Sequence, residues 1–358
     1  MGSLVRNSRG MSLVEVLISM VISLVVTLAA YQTFAASEGY RRAATGGGDA
    51  TFSGSIGMYT LQRDLRMAGY GINTASVLGC TVRAYDEGVS PARDFTFTLA
   101  PVVITQGAAG APDTVEVSYS SSDAMPVPVR MTQAPPTPTS LYYIDNGFGI
   151  VAGQLLIAAE PGRDCTLSQA TNTPTLEPAG QRDRLRHDDG SYVGPFGTPV
   201  SSRYNKPGGL GPNYTLAGII YSIGQAPVVN RYYVQNENLV VDSVLLGGIA
   251  QPVAAGIVQF QAQYGRDTNA DGVIDTWGEA APASAAEWAG LVAVRLGLVA
   301  RSAVGERANA VGNCEVTTVA PTWSGGNFDL SARADWRCFR YRVFESTISL
   351  RNMIWRPV

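Results

Sequence analysis

Residues 267–275 carry oxygen-bearing side chains at the spacing of a calcium-binding loop. The ligands would be the side chains of Asp267, Asn269, Asp271 and Asp275 and the backbone carbonyl of Val273. Gly272 permits the sharp reversal that such a loop needs. The usual bidentate carboxylate at the end of the loop is missing, because Gly278 stands there and Glu279 comes one residue late. We therefore expect weak affinity, about 10⁻⁴–10⁻³ M. The alternative is a polar β-turn held by hydrogen bonds from its own Asp and Asn side chains.

A single acidic residue stands at the start of a long apolar run. Glu15 precedes a stretch without any charged residue up to Glu38, long enough for a helix to cross the hydrocarbon core of a membrane, about 30 Å. A carboxylate inside such a core costs several kcal/mol unless it finds a partner. A secretory signal peptide has its cleavage site after the apolar core. Here a short polar leader that contains Arg6 and Arg9 precedes Gly10, and we expect the cut to lie before the apolar core, so that the helix is kept.

Gly10, Met11 and Glu15, followed by the apolar run, resemble the class III signal of type IV prepilins and pseudopilins. The resemblance implies that a prepilin peptidase cuts between Gly10 and Met11 and methylates the new amine of Met11. In an assembled filament, Glu15 of one subunit could then neutralise the amine of its neighbour, because a paired charge is tolerated where a lone one is not. Met11 departs from the Phe that is usual in the family. The alternative is a plain N-terminal membrane anchor with Glu15 at the headgroup level.

The cysteines are expected to form disulfides. They are Cys80, Cys165, Cys314 and Cys338. None belongs to a Cys-x-x-Cys pair, so zinc and thioredoxin-like sites are not indicated. An exported domain favours disulfides. Of the three possible pairings we favour Cys314 with Cys338 and Cys80 with Cys165, because both close local loops, and each would contribute about 3 kcal/mol.

Composition argues against a general nucleic-acid binder but does not exclude a local basic patch, and the sequence lacks the motifs of an enzyme. The net charge is −3 and charged residues make up 15 % of the chain, whereas nucleic-acid binders carry a basic face. The single histidine, His187, lies in a polar stretch without a nucleophile motif, and we interpret it as a solvated loop residue. The sequence shows no His-based triad and no phosphate loop, so no catalytic residues are predicted.

The N-terminal region is predicted to be a leader and a long helix. Residues 1–10 form the leader and residues 11–70 the helix, with a transmembrane half at about 13–36. The glycines at 46–48 are expected to interrupt it, because each costs about 1 kcal/mol relative to alanine. Beyond them, apolar residues share one helix face, while Arg63, Asp64 and Arg66 lie off that face. The apolar residues are Met58, Leu61, Leu65 and Ala68.

The rest of the chain, residues 71–358, is predicted to be a β-rich head. Alternation of apolar and polar residues predicts half-buried strands. The predicted strands are 94–99, 114–119, 141–144, 153–158, 217–223, 230–234, 238–241, 257–264, 291–302 and 340–352. Residues 171–213 are rich in Pro, Gly, Asn and Asp and show little periodicity. They are therefore expected to be a surface loop excursion.

Two further segments resemble minor pilins of the PilW type. They are residues 61–70, similar to the end of the long pilin helix, and residues 294–302, similar to a strand of that family. The resemblance implies an α+β, pilin-like fold in which the helix packs on a β-rich head. The implied role is structural: a minor pilin that sits in the inner membrane and then joins a complex that primes type IV pilus assembly near the tip. Implied partners are other minor pilins, the major pilin, a tip adhesin and prepilin peptidase.

Three alternatives remain from the sequence. A type II secretion pseudopilin would share Gly10 and Glu15. A membrane-anchored ligand-binding ectodomain belongs to a different class and would need a binding site that the calcium loop alone does not supply. A role in DNA uptake would rest only on Arg182, Arg184 and Arg186, which equally suit a solvated loop.

Overall fold

The computed structural model describes residues 12–72, 74–123, 127–135, 140–194, 197–306, 308–309 and 311–354. One long N-terminal helix leads into a strand-rich globular region. The predicted α+β class is confirmed.

The long helix, α1, spans Leu13–Met67 without a break. The expected interruption at residues 46–48 is wrong, since all three glycines are helical. Gly46 is buried, and a Cβ added to it would lie 3.0 Å from Cβ of Ser302. Packing of the surrounding turns against the head therefore offsets the low helix propensity of glycine.

The strands of the described residues follow α1 in a long series. In chain order they are β1 (Thr81–Asp86), β2 (Arg93–Thr98), β3 (Val102–Thr105), β4 (Thr114–Tyr119), β5 (Val129–Gln133), β6 (Leu141–Ile144), β7 (Leu155–Ala159), β8 (Cys165–Gln169), β9 (Arg184–Arg186), β10 (Ser191–Val193), β11 (Pro199–Ser201), β12 (Ile219–Gly224), β13 (Val228–Gln235), β14 (Asn238–Ser243), β15 (Gln251–Ala255), β16 (Ile257–Arg266), β17 (Thr276–Gly278), β18 (Leu291–Arg301), β19 (Thr322–Trp323), β20 (Gly326–Asn327) and β21 (Tyr341–Ser349). Two short helices, α2 (Ala285–Ala289) and α3 (Arg351–Ile354), lie among and after them.

Three larger sheets build the head. An eight-stranded sheet has the order β2-β1-β8-β7-β12-β5-β6-β9, a five-stranded sheet the order β15-β14-β13-β4-β3, and a four-stranded sheet the order β17-β16-β18-β21. The pairs β10-β11 and β19-β20 form small ribbons. Neighbouring strands are antiparallel except β1 and β8, which pair in parallel. Strands distant in sequence thus lie side by side.

The main hydrophobic core lies between α1 and two of these sheets. Leu61 and Leu65 of α1 are fully buried there with Phe260 of β16 and Leu298 of β18. Two further clusters fill the eight-stranded sheet lobe, which comprises β1, β2, β5–β9 and β12. The helix packs against β21, β18, β15 and β4, which belong to the other two sheets.

Residues 171–213 are integrated into the head, in contrast to the expected loop excursion. They contain β9, β10 and β11, and β9 extends the eight-stranded sheet beside β6. Asn205 is buried, accepts a hydrogen bond from the Gln169 amide at 2.7 Å and donates to the Asp188 carbonyl at 2.8 Å. Such side-chain bonds to backbone leave no hydrophobic periodicity, so the sequence pattern does not reveal them.

Two disulfides join the cysteines in the pairs that the sequence favours. Cys80 bonds Cys165 and ties the segment before β1 to β8, with Cα atoms 5.9 Å apart. Cys314 bonds Cys338 with Cα atoms 4.8 Å apart. The first holds the residue before β1 to the neighbouring strand β8, and the second closes a local loop before β21.

Candidate functional site

The first turn of α1 holds Glu15. Its Oε2 accepts a hydrogen bond from the backbone N–H of Ser12 at 3.2 Å, which is one half of a capping box. The carboxylate satisfies an amide that would otherwise lack a partner at the helix start. Gly10 and Met11, the predicted cleavage and methylation residues, lie outside the described residues.

The first half of α1 presents apolar side chains without partners in the described chain. Leu13–Phe34 is long and apolar enough to cross a membrane, and none of its hydrophobic stretch is buried by the head. Leu13 is 77 % exposed and Leu24 is 68 % exposed. Side chains of this kind are stable in lipid or against other apolar helices.

The second half of α1 is fixed to the head through small residues. A Cβ added to Gly54 would lie 2.0 Å from the Phe344 ring of β21, so the ring occupies the space above this glycine. A Cβ added to Gly57 would lie 3.2 Å from the Leu239 side chain and 3.5 Å from the Leu298 side chain. These positions let the helix approach the sheets closely, as small residues do in helix packing. The second half of the helix therefore lies in close contact with the head.

Asp64 anchors the helix to β13, which the sequence analysis did not predict. Asp64 is 1 % exposed, although we placed it off the buried face. Its Oδ2 accepts hydrogen bonds from Tyr232 Oη at 2.6 Å and from Asn230 Nδ2 at 3.0 Å, and Arg63 pairs with Oδ1 at 3.2 Å. Burial, followed by the Asp64 contact, raises the pKa of Tyr232, so the hydroxyl stays protonated and donates. No local sequence signal marks this bond, because Tyr232 lies 168 residues away.

The candidate calcium loop lies between β16 and β17, and its side chains bond within the loop. Asp267 accepts from the amides of Ala270 at 2.6 Å and Gly272 at 2.8 Å. Asp271 accepts from the Val273 amide at 2.8 Å and from Asn269 Nδ2 at 3.1 Å. These hydrogen bonds are those of the polar-turn interpretation.

Asp275 differs from the other acidic residues of the loop. Its Oδ2 accepts from the Thr268 amide and hydroxyl, both at 2.7 Å, and these bonds lower the pKa of Asp275. The oxygen donors suit calcium in kind. Among the residues that the structure describes, however, no group of three or more His, Cys, Asp or Glu side chains is gathered as for a metal ion. Calcium binding stays a prediction.

His187 is buried, so its interpretation as a solvated loop residue is wrong. It is 4 % exposed and its ring stacks on Tyr142 with centroids 4.1 Å apart. Burial lowers the pKa of His187 to about 4, which keeps the imidazole neutral. The stacked ring belongs to the core near β9, and it contributes packing there.

The three arginines considered for DNA uptake do not form one exposed group. Arg184 and Arg186 are half-buried on β9 on either side of the buried Leu185. Arg182 is exposed in the turn before β9, and its Nε donates to the Glu177 carbonyl at 3.1 Å. The arrangement resembles a strand edge more than a basic patch.

Comparison with known families gives matches at both ends of the chain. Residues 5–31 match the Prokaryotic N-terminal methylation motif, and residues 231–352 match Type IV Pilus-assembly protein W. No curated protein matches the chain. Among solved structures, a type IV-like pilin from Thermus thermophilus is similar with 11 % sequence identity and a TM-score of 0.33, over 84 % of this chain and 95 % of that chain.

The two matches fit the architecture. The methylation motif covers the start of α1, and the second match runs from within β13 through β21 and includes β15, β18 and β21, three of the strands on which α1 packs. The apolar helix and the motif are consistent with membrane anchoring and a pilus. The methylation motif at residues 5–31 and the assembly-protein W match at residues 231–352 support a PilW-type type IV pilin with a structural role.

Proposed function

We propose that the chain is a minor pilin that joins a complex of minor pilins priming type IV pilus assembly, near the tip of the filament. The observation that carries the proposal is the division of α1. Its second half is buried against the head, whereas the side chains of its first half are exposed from Leu13 to Phe34. The exposed half needs lipid before assembly and other helices afterwards.

Glu15 is the residue to which we assign assembly. After cleavage between Gly10 and Met11 and methylation of Met11, the carboxylate would lie one turn from the new amine of its own chain and within reach of the amine of a neighbour. Pairing two opposite charges offsets part of the cost of placing each in a low dielectric. The proposed partners are other minor pilins, the major pilin and a tip adhesin, and the proposed route runs from the inner membrane to the extracellular pilus.

The size of the head supports a position near the tip. The eight-stranded sheet lobe adds to the strands that carry α1, and it lies outside the residues matched by the two family models. A large head suits one capping position better than repetition along a shaft. A structural, non-catalytic role is part of the same proposal.

Surface piliation in wild type, a deletion strain and Glu15→Ala tests the proposal. We expect the deletion to lose pili and twitching motility while protein secretion stays intact, and Glu15→Ala to reproduce the loss with normal levels of the protein. Glu15→Gln is the matched control for side-chain size, and it should also fail because it removes the charge. Normal pili with a secreted enzyme retained in the periplasm would instead indicate a type II secretion pseudopilin.

A further inference from the structure

An open cavity lies in the eight-stranded sheet lobe, between the turn after β6 and the turn before β9. Its volume is about 500 Å³, within the range of about 300–1,000 Å³ found for small-molecule sites. The cavity is lined by Asp145, Asn146, Gly147, Phe148, Thr175, Ala179, Gly180, Arg182 and Asp183. These residues lie outside the residues that match the two pilin family models. The cavity is therefore a feature of this chain beyond its family role.

One of the cavity's lining residues is an exposed phenylalanine on a hydrogen-bonded turn. Phe148 is 67 % exposed. Its amide donates to Asn146 Oδ1 at 2.9 Å, and the next turn is closed by the Ile150 amide bonding the Gly147 carbonyl at 3.3 Å. Gly147 packs against Pro174, where an added Cβ would lie 2.5 Å from the proline Cβ. The ring face is thus presented to solvent by an ordered turn.

The cavity is also lined by planar polar groups with hydrogen-bonding capacity that the described residues do not use. Arg182 uses Nε for the Glu177 carbonyl, which leaves its two terminal amino groups without a partner in the described chain. The backbone of Asp183 is fixed, because its carbonyl accepts a hydrogen bond from the Ile144 amide at 2.8 Å. The Asp183 carboxylate has no partner among the described residues. Asp145 is held by the Arg130 amide on Oδ1 at 3.0 Å.

We propose that this cavity binds a carbohydrate, one or two sugar units of a neutral or amino-sugar glycan. The face of a sugar ring presents C–H groups that pack on an aromatic ring, while neighbouring hydroxyls pair with planar groups that offer two donors or two acceptors. Two negative side chains, Asp145 and Asp183, and one positive side chain, Arg182, line the cavity. The net negative charge disfavours sugars that carry a carboxylate. A peptide ligand would need a second apolar pocket, whereas Phe148 and Ala179 are the apolar side chains among the lining residues.

Gly180 supplies a direct way to block the cavity. No atom lies within 4 Å of a Cβ added to Gly180, and its backbone is outside the left-handed region, so a side chain can be introduced there without backbone strain. Gly180→Trp would place an indole in the open space. Phe148→Ala removes the ring, and Leu216→Ala, which truncates a side chain 64 % exposed elsewhere in the lobe, is the matched control.

A glycan array probed with the full chain in a detergent without sugar headgroups tests the proposal. We expect the wild type and Leu216→Ala to bind a group of neutral or amino-sugar glycans. Phe148→Ala should weaken binding at least tenfold and Gly180→Trp should abolish it, with melting temperatures unchanged in both. Absence of any bound glycan, a preference for acidic glycans only, or binding that survives Gly180→Trp would overturn the proposal.

Discussion

The two halves of α1 form one unbroken helix but face opposite surroundings. Leu24 in the first half is 68 % exposed, whereas Leu61 and Leu65 in the second half are fully buried. The first half is apolar all round, and the second half is apolar on the face that meets the sheets. A helix that is apolar on every side needs partners from outside its own chain. The difference shows where the folding of this chain ends and where assembly must begin.

The largest expected effect of this division concerns leucine truncation. Leu61→Ala removes a fully buried side chain from the main core and should destabilise the head by about 2–5 kcal/mol. Leu24→Ala is the matched change in the first half and should leave unfolding of the head unchanged. Urea unfolding of the full chain in detergent, followed by the fluorescence of the head tryptophans, measures both. Equal losses would show that the first half is part of the cooperative unit.

The Asp64 contact should carry the next largest effect. Asp64→Ala leaves the Tyr232 hydroxyl and the Asn230 amide buried without their acceptor, which should cost about 1–3 kcal/mol. Tyr232→Phe should cost less in the Asp64→Ala background than in wild type, since the shared bond is already lost. Additive losses in this double-mutant cycle would contradict the contact as the anchor of the helix.

Two glycines of α1 test the same comparison with a smaller change. A side chain added to Gly54 would meet the head, whereas one added to Gly48 would meet open space. Gly54→Ala brings a methyl group against the Phe344 ring and should destabilise by about 1–3 kcal/mol. Gly48→Ala meets open space and should stabilise by up to about 1 kcal/mol through helix propensity. Opposite signs in the same unfolding assay are the expected result. The same sign for both would mean that propensity, and not close approach, sets the role of these glycines.

The periodicity of apolar residues along the sequence allowed much of the fold to be predicted. The alternating runs at 114–119, 257–264 and 291–302 correspond to β4, β16 and β18, which line the core beneath α1. The helix face through Leu61 and Leu65 is likewise a periodic signal. This periodicity reflects the burial of a whole face of an element. It therefore predicts long strands and helices that have one apolar side.

Features that depend on single distant contacts were not accessible in the same way. Gly46 lies against Ser302 in a stretch of α1 that packs on the head, and the buried Asp64 bonds Tyr232 of β13. His187 is buried through Tyr142, although its sequence neighbours are polar. Each case sets a local preference against a partner far along the chain, and the tertiary contact prevails. The Phe148 cavity belongs to the same group, since its lining residues meet only in the folded lobe.

Calcium binding is expected to give the smallest effect. This effect concerns the head, on which the second half of α1 packs. The loop 267–275 follows β16, which packs beneath the second half of α1. With a Kd of about 10⁻⁴–10⁻³ M, millimolar calcium should raise the Tm of the head by about 1–2 °C. Asp271→Asn keeps an oxygen for the Val273 amide but removes the charge, so it should reduce the shift while the turn persists. Magnesium at the same concentration controls for ionic strength. A Tm that calcium does not move, or a shift that Asp271→Asn retains in full, would leave the polar turn as the whole account of this loop.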